Sequence, residues 1–222
     1  MEGQTGTRPL PRGPHNLTRD DVLQSQRQRM TDAVAHAVAA KGYAATTVGD
    51  VVAGAGVSRK TFYEHFRDKE ECFLAAFDAG VEALLAAIVA AEPEQPGWEG
   101  MLRARVRAYL EALAARPEFA RTFMLEVFVA GPRAIERRGE VLDRFAQLFR
   151  DLHAEARRAY PELPPVPDPI FAAAVGGVNE LVSAYVREGR TAELGELEPA
   201  LVYLQMALFA GPETARDRLQ VS

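Results

Sequence analysis

The sequence predicts an all-α fold of about nine helices, in which a three-helix head with a helix-turn-helix precedes a C-terminal helical bundle. Apolar residues recur at three- and four-residue spacing along most of the chain, and Gly and Pro separate these stretches. The alternation of apolar and polar residues that is typical of a half-buried strand is not apparent. With 222 residues and 48% hydrophobic content, the chain is long enough to bury a sizeable core.

Residues 1–21 are expected to form a flexible N-terminal arm, because they are rich in Gly, Pro, Thr and Arg and show no apolar periodicity. Arg8 and Arg12 in this arm are candidates for contact with phosphate or a minor groove, and a merely solvated tail is the alternative. The first helix follows, and Gly42 ends it. Its apolar face is formed by Met30, Ala33, Val34, Ala37 and Val38.

Two short helices complete the head, which is expected to span residues 22–68. Thr47 and Asp50 form the signature of a capping box at the start of the second helix. Gly56 supplies the turn, because a tight reversal between helices usually needs a residue at positive φ. Ser58 then caps the third helix.

The body is expected over residues 69–222. It begins with a fourth helix, for which Asp68 and Glu71 repeat the capping signature. Further helical stretches, separated by Pro and Gly, cover about residues 99–115, 117–130, 133–159, 168–188 and 195–218.

Charge is distributed unevenly along the chain. Residues 1–70 carry a net charge of +2 and the remainder carries −7, against −5 for the whole chain. A basic head on an acidic body suggests that only the head meets a polyanion. Cys72 is the single cysteine, which excludes an internal disulfide, and no apolar run of about 18 residues is apparent. We therefore expect a soluble, cytoplasmic protein without a membrane span.

The third helix combines basic and aromatic residues within one or two turns. Phe62 and Phe66 lie one turn apart and are expected to face the core, which leaves the first turn exposed. In a helix-turn-helix the second helix enters the major groove of DNA, where Arg59 can contact guanine O6 and N7. The alternative is a helical corner with a solvated charged face. The candidates for DNA contact are Thr47, Ser58, Arg59, Lys60, Thr61, Tyr63, His65 and Lys69.

At these residues, "GYAATTVGDVVAGAGVSRKTFYEHFRDKEECFLAAF" resembles the DNA-binding segment of tetracycline-repressor (TetR) family regulators. The shared pattern is a Gly-aromatic pair, Thr-Thr-Val, an Ala-Gly-Val-Ser turn, an aromatic-Tyr-x-His-Phe run and a Lys-Glu pair. Lys60 stands where many members carry Gly or Pro. The resemblance implies a homodimer that binds a palindromic operator, usually represses a nearby gene, and is released when a small molecule enters the C-terminal domain.

The resemblance also implies a dimer interface on the last two helices of the core. Small and apolar residues there agree with close packing against a second copy, although packing within one chain would account for them equally. The candidates are Gly176, Gly177, Leu201, Leu204 and Leu208.

A ligand pocket for an apolar effector is expected among helices four to seven, where aromatic and flexible apolar side chains concentrate. Each of them is also compatible with plain core. Glu126 and His153 are polar candidates in this region, with an Arg-paired or solvated glutamate and an ordinary half-buried histidine as alternatives. The lining candidates are Phe77, Leu84, Met101, Tyr109, Phe123, Met124, Phe128, Phe145 and Phe149.

No catalytic or metal-binding pattern can be assembled from the sequence, because Ser-His-Asp logic, a phosphate loop, paired carboxylates and a metal-ligand cluster are all lacking. We expect a regulator rather than an enzyme, without cofactor or metal, whose partners are double-stranded DNA, a small-molecule effector and a second copy. An all-α carrier or enzyme of the same topology and a helical adaptor for protein partners are the alternatives. Salt-dependent binding to a specific duplex would separate the regulator from both of these alternatives.

Overall fold

The computed structural model describes residues 18–219, and in this part of the chain it contains ten α-helices, two short 3₁₀ helices and no strand. The all-α prediction is confirmed, with ten α-helices instead of about nine. The chain divides into two compact units between Ala76 and Phe77. The division falls inside the fourth helix, whereas the sequence suggested a boundary after residue 68.

The head unit contains three complete helices and the beginning of a fourth. These are α1 (Arg19–Lys41), α2 (Val48–Ala55), α3 (Arg59–His65) and α4 (Lys69–Val89), of which α4 continues into the body.

α1 begins inside the stretch that was predicted to be a flexible arm. Its start is set by Thr18, whose hydroxyl accepts the backbone N–H of Asp21 at 3.1 Å, while the Asp21 carboxylate accepts the Thr18 N–H at 2.8 Å. This reciprocal cap explains the earlier start. The rest of the predicted arm, with Arg8 and Arg12, lies outside the described residues.

Apolar side chains from all four helices form the core of the head. Cys72 belongs to this core, because it is fully buried and its Sγ lies 3.6 Å from the carbonyl oxygen of Met30. Burial raises the pKa of the Cys72 thiol to about 12, so it stays protonated at neutral pH. The other large buried side chains of this core include Met30, Val34, Val51, Phe62, Phe66 and Phe73.

The body unit contains the rest of α4 and six further α-helices, close to the stretches that periodicity predicts. Two of those stretches are interrupted, one at Leu125 and the other at Gly211, which adopts φ +96°. The helices are α5 (Trp98–Ala114), α6 (Pro117–Met124), α7 (Pro132–Ala159), α8 (Asp168–Arg187), α9 (Glu198–Phe209) and α10 (Pro212–Leu219), with 3₁₀ helices at Glu126–Phe128 and Thr191–Leu197.

Stacked phenylalanine rings hold α4 and α6 together. The Phe123 ring lies 5.3 Å from that of Phe77 and 5.6 Å from that of Phe119, centre to centre. Gly80 makes this packing possible, because a Cβ there would lie 1.9 Å from Cε2 of Phe119. The body core therefore depends on a glycine within α4.

α4 and α8 are each long and apolar enough to cross a membrane, judged by length and composition. The expectation that no stretch reaches this length was wrong. The apolar window of each helix is 39% buried within the protein. Core helices of soluble proteins meet the same criterion, so two such helices give only weak support for a membrane span.

Candidate DNA-binding and ligand-binding sites

The first turn of α3, residues 58–61, forms an exposed feature that we call the α3 tip. Gly56 adopts φ +61°, as predicted for the turn that precedes it. Ser58 caps the helix, since its Oγ accepts the backbone N–H of Thr61 at 3.0 Å. Behind the tip, Phe62 and Phe66 are almost completely buried, with ring centres 5.7 Å apart. The predicted division of α3 into a core face and an exposed first turn is confirmed.

Two cations lie on the α3 tip. Arg59 is exposed, and among the described residues it makes neither a hydrogen bond nor an ion pair. The Lys60 ammonium lies 3.9 Å from a carboxylate oxygen of Glu64, but the two side chains are 89% and 54% exposed. A pair this exposed is weak, so both cations remain available to an anionic partner.

Tyr63 and His65, both predicted to contact DNA, have different surroundings. Tyr63 is 55% exposed and packs edge-on against Phe62 at 5.3 Å. His65 is half-buried, and its Nε2 lies 3.2 Å from Oε1 of Gln26 in α1. Burial, assisted by the charge of Arg27, lowers the pKa of His65. Nε2 of His65 therefore already has a hydrogen-bond partner within the head and does not need one from DNA.

The Ser and Thr hydroxyls among the predicted contacts all form hydrogen bonds at helix starts. Thr47 Oγ1 donates to the Asp50 carboxylate at 2.7 Å, and that carboxylate also pairs with Lys41 at 2.7 Å. Hydrogen bonds from Lys41 and Thr47 lower the pKa of Asp50. Ser58 and Thr61 share a hydrogen bond of 2.9 Å between their hydroxyls. These side chains shape the surface that the α3 tip presents.

Lys69 was expected to offer its charge to phosphate, yet it is bonded inside the head. Its Nζ donates to the carbonyl oxygens of Tyr43 and Thr46 at 2.7 and 2.8 Å, and it lies 3.9 Å from the centre of the Tyr43 ring. Burial lowers the pKa of Lys69. Two of its three N–H groups are thus used to attach the turn after α1 to the start of α4, a role that the sequence did not indicate.

The body contains two adjoining cavities. The apolar cavity, of about 50 Å³, is bounded by side chains of α4 to α9. The Trp98 cavity, of about 310 Å³, lies between α5, α7 and the end of α9. Their walls share Leu102, Arg105, Phe149 and Leu152. An apolar space next to a more polar one suits a ligand with two chemically different ends.

Five of the nine predicted pocket residues line these cavities. Tyr109, Phe123 and Phe145 line the apolar cavity, Met101 lines the Trp98 cavity, and Phe149 lines both. The structure places the other four predicted residues elsewhere. These are Phe77, Leu84 and Met124, which are buried in the core, and Phe128, which is 50% exposed beneath the guanidinium of Arg138.

The polar candidates of the body also separate. Glu126 is buried and pairs with Arg121 at 3.3 Å, as the Arg-paired alternative predicted. His153 lines the Trp98 cavity, where burial lowers its pKa. Its ring lies 5.9 Å from that of Phe209. His153 therefore belongs to the wall of a cavity, whereas Glu126 lines neither of the two.

Arg105 was missed in the sequence, although it lies on the apolar side of α5, three residues after Leu102 and four before Tyr109. Its Nε is completely buried without a hydrogen-bond partner. Burial lowers the pKa of Arg105, and the charge of Glu155 opposes this shift. The spacing of Arg105 from these two residues could have indicated its place in the cavity wall, since residues three and four apart share one face of a helix.

The candidate dimer face on α8 and α9 is partly accessible. Gly176 is exposed, with no atom within 4 Å of where a Cβ would lie, while a Cβ at Gly177 would lie 3.1 Å from Leu204 of the same chain. Leu208 is half-buried. Leu201 is fully buried and lines the apolar cavity, which corrects its assignment to the interface. Among residues 18–219 no group of His, Cys, Asp and Glu is suited to a metal ion.

Residues 31–76, which lie in the head, match the family model of bacterial regulatory proteins of the tetR family. The head of this chain is therefore similar to the tetR family. A search of curated proteins gave no match.

Solved structures support the TetR-family fold over most of the chain. The fatty acid degradation regulator FadR of Bacillus halodurans aligns with a TM-score of 0.71 at 22% identity, over 82% of this chain and 94% of its own. FadR of Bacillus subtilis in complex with stearoyl-CoA aligns with a TM-score of 0.68 at 18% identity, over 83% and 98%. The TetR-family regulator PfmR of Thermus thermophilus gives 0.61 at 24% identity, over 82% and 95%. At these identities the likeness concerns the fold.

Proposed function

We propose that this protein is a cytoplasmic transcription regulator of the TetR family that binds a palindromic operator as a homodimer and is released by a small apolar effector. The observation that carries the proposal is the α3 tip, where Arg59 and Lys60 are exposed on a helix whose other face is buried. A helix presented in this way can enter the major groove with its first turn against the base edges.

The chemistry of the tip suggests how the contacts divide. Arg59 carries a planar guanidinium that has no partner within residues 18–219 and can donate two hydrogen bonds to guanine O6 and N7. Lys60 and the Tyr63 hydroxyl suit phosphate oxygens, which fix the position of the helix without reading sequence. The base preference therefore depends mainly on Arg59, with Ser58 and Thr61 restrained by their cap.

The α8 and α9 face supports assembly as a dimer. Its exposed Gly176 and the half-buried Leu204 and Leu208 give a surface of small and apolar residues that a second copy can approach closely. A two-fold dimer presents two α3 helices to half-sites about 34 Å apart, one turn of DNA. An operator with inverted symmetry follows from that arrangement.

The cavities supply an effector site, and α4 offers a route from this site to the head. α4 is one continuous helix that carries Lys69, bonded to Tyr43, near its start and Ile88, in the wall of the apolar cavity, near its end. A ligand that displaces Ile88 would move a helix to which the head is attached. We propose that this movement weakens operator binding.

Selection of bound sequences from random duplex DNA tests the proposed function. We expect a palindrome to be recovered, and its affinity to fall steeply with salt. The cavities by themselves also suit a small-molecule carrier. A carrier or an enzyme would recover no sequence above the random background, and that result would overturn the assignment as a regulator.

A further inference from the structure

Three arginines of α5 differ in how their charges are compensated. Arg103 and Arg107 both bond Glu198, with N···O distances of 3.1 and 2.9 Å. Arg105, between them in sequence, forms no ion pair among the described residues, and its Nε is buried without a partner. Glu155 offsets the charge of this half-buried arginine only in part, since neither a hydrogen bond nor an ion pair joins the two side chains.

Arg105 lies where the two cavities adjoin, since it contributes to the walls of both. On one side the apolar cavity is bounded mainly by aliphatic and aromatic side chains, including Val106, Phe145 and Leu148. On the other side the Trp98 cavity is larger, at about 310 Å³, and is lined by the polar side chains of His153, Glu155 and Tyr160 as well as by apolar ones. An anion next to Arg105 would thus have a hydrocarbon-lined space beside it.

We propose that the paired cavities bind an apolar molecule that ends in a carboxylate, with the carboxylate on the guanidinium of Arg105 and the hydrocarbon part against the apolar side chains that line the two cavities. The guanidinium fork matches the two oxygens of a carboxylate, and the bond would satisfy the orphaned Nε. This inference rests on the proposed function in one respect, because it assigns a chemical class to the effector site of that function.

The single tryptophan of the chain provides a direct reporter, because Trp98 lines the cavity next to Arg105. Binding of decanoate and of 1-decanol, which has the same chain length without the charge, can be followed by the fluorescence of Trp98 in the full chain without DNA. We expect decanoate to bind at least about tenfold more tightly than decanol, as a charge-assisted bond requires.

Variants of the same helix make the test specific. Arg105→Gln should lower decanoate affinity at least about tenfold and leave decanol unchanged, while Arg105→Lys, which keeps the charge without the fork, should lie between. Arg103→Gln, a matched loss of charge away from both cavities, should bind decanoate like the wild type. Decanoate should also raise the melting temperature of the wild type but not of Arg105→Gln.

Equal affinities for decanoate and decanol, or decanoate binding that Arg105→Gln leaves unchanged, would overturn the inference. The ligand-free melting temperature of Arg105→Gln shows whether that variant folds, and we expect it to be no lower than that of the wild type because a half-buried charge that is only partly compensated is removed. If the protein binds a specific duplex but not decanoate, this inference is wrong and the proposed regulator is unaffected. Decanoate binding without duplex binding would contradict only the proposed regulator.

Discussion

Lys69 holds Tyr43 in two ways: its Nζ donates a hydrogen bond to the Tyr43 carbonyl oxygen at 2.7 Å and lies 3.9 Å from the centre of the Tyr43 ring. The Tyr43 ring in turn packs edge-on against Phe73 of α4 at 5.0 Å. The turn that leads into α2 is thereby attached to the start of α4. Lys69 contributes to the fold of the head whether or not it also contacts DNA.

Lys69→Met should therefore destabilise the protein as well as weaken duplex binding. The variant keeps much of the side-chain volume but loses charge-assisted bonds to two carbonyl oxygens, and we expect the free energy of unfolding to fall by about 1.5–3 kcal/mol. Urea denaturation followed by circular dichroism measures it. Lys60→Met, at an 89% exposed position, is the matched control and should leave stability nearly unchanged. If Lys69 only contacted phosphate, Lys69→Met and Lys60→Met would have the same free energy of unfolding.

Gly56→Ala tests the turn between α2 and α3. Gly56 adopts φ +61°, where a Cβ is unfavourable, so the substitution should lower the free energy of unfolding by about 1 kcal/mol. Gly139→Ala is the control, because Gly139 lies inside α7 with open space around it and alanine there should stabilise the helix by up to about 1 kcal/mol. Thermal denaturation should show a lower melting temperature for Gly56→Ala and a higher one for Gly139→Ala. Shifts of the same sign would contradict the role given to Gly56 in the turn.

Gly176→Arg tests the proposed dimer face. Within the described part of one chain no atom lies within 4 Å of the position of a Cβ at Gly176, so arginine can be accommodated in the protomer but not against a closely packed second copy. Sedimentation velocity should show dimers for the wild type and monomers for the variant. Gly139→Arg places the same side chain on an exposed position of α7 that is equally open, and it should remain dimeric. Dimers in both variants would exclude this face.

Stability should fall as the pH decreases below about 6.5 through the titration of the half-buried His65 and the buried His153. Burial lowers the pKa of both His65 and His153 below the ordinary value of 6.5. The unfolded chain then binds protons before the folded one does, so the stability present above pH 6.5 is lost as the pH falls through the folded pKa values. The double variant His65→Gln, His153→Gln should show a smaller loss of free energy of unfolding between pH 7.5 and 5.5. An unchanged loss would contradict this attribution.

Local features of the head could be predicted from the sequence because their determinants are close together in the chain. The caps at Thr47 and Ser58 and the turn at Gly56 each depend on side chains within three or four residues, and the structure forms them as expected. The four-residue spacing of Phe62 and Phe66 likewise predicted the buried face of α3. Such features need no knowledge of tertiary contacts.

Features that depend on distant contacts were not predicted correctly. Lys69 reaches the carbonyl of Tyr43 across 26 positions of sequence, a distance over which spacing carries no information. Leu201 and Phe128 have the same apolar character as their neighbours, so the sequence did not separate the cavity wall, the interface and the surface. Arg105 was overlooked because one charge on an apolar stripe resembles an ordinary solvated position.

The most direct measurement of the central claim is fluorescence anisotropy of a selected palindromic duplex, titrated with the wild type and with Arg59→Ala at several salt concentrations. If the α3 tip reads DNA, Arg59→Ala should weaken binding by about 1–3 kcal/mol and reduce discrimination against mismatched duplexes. Arg158→Ala, which removes an exposed charge from α7, should bind like the wild type. Equal affinity and equal discrimination for Arg59→Ala and the wild type would contradict the account.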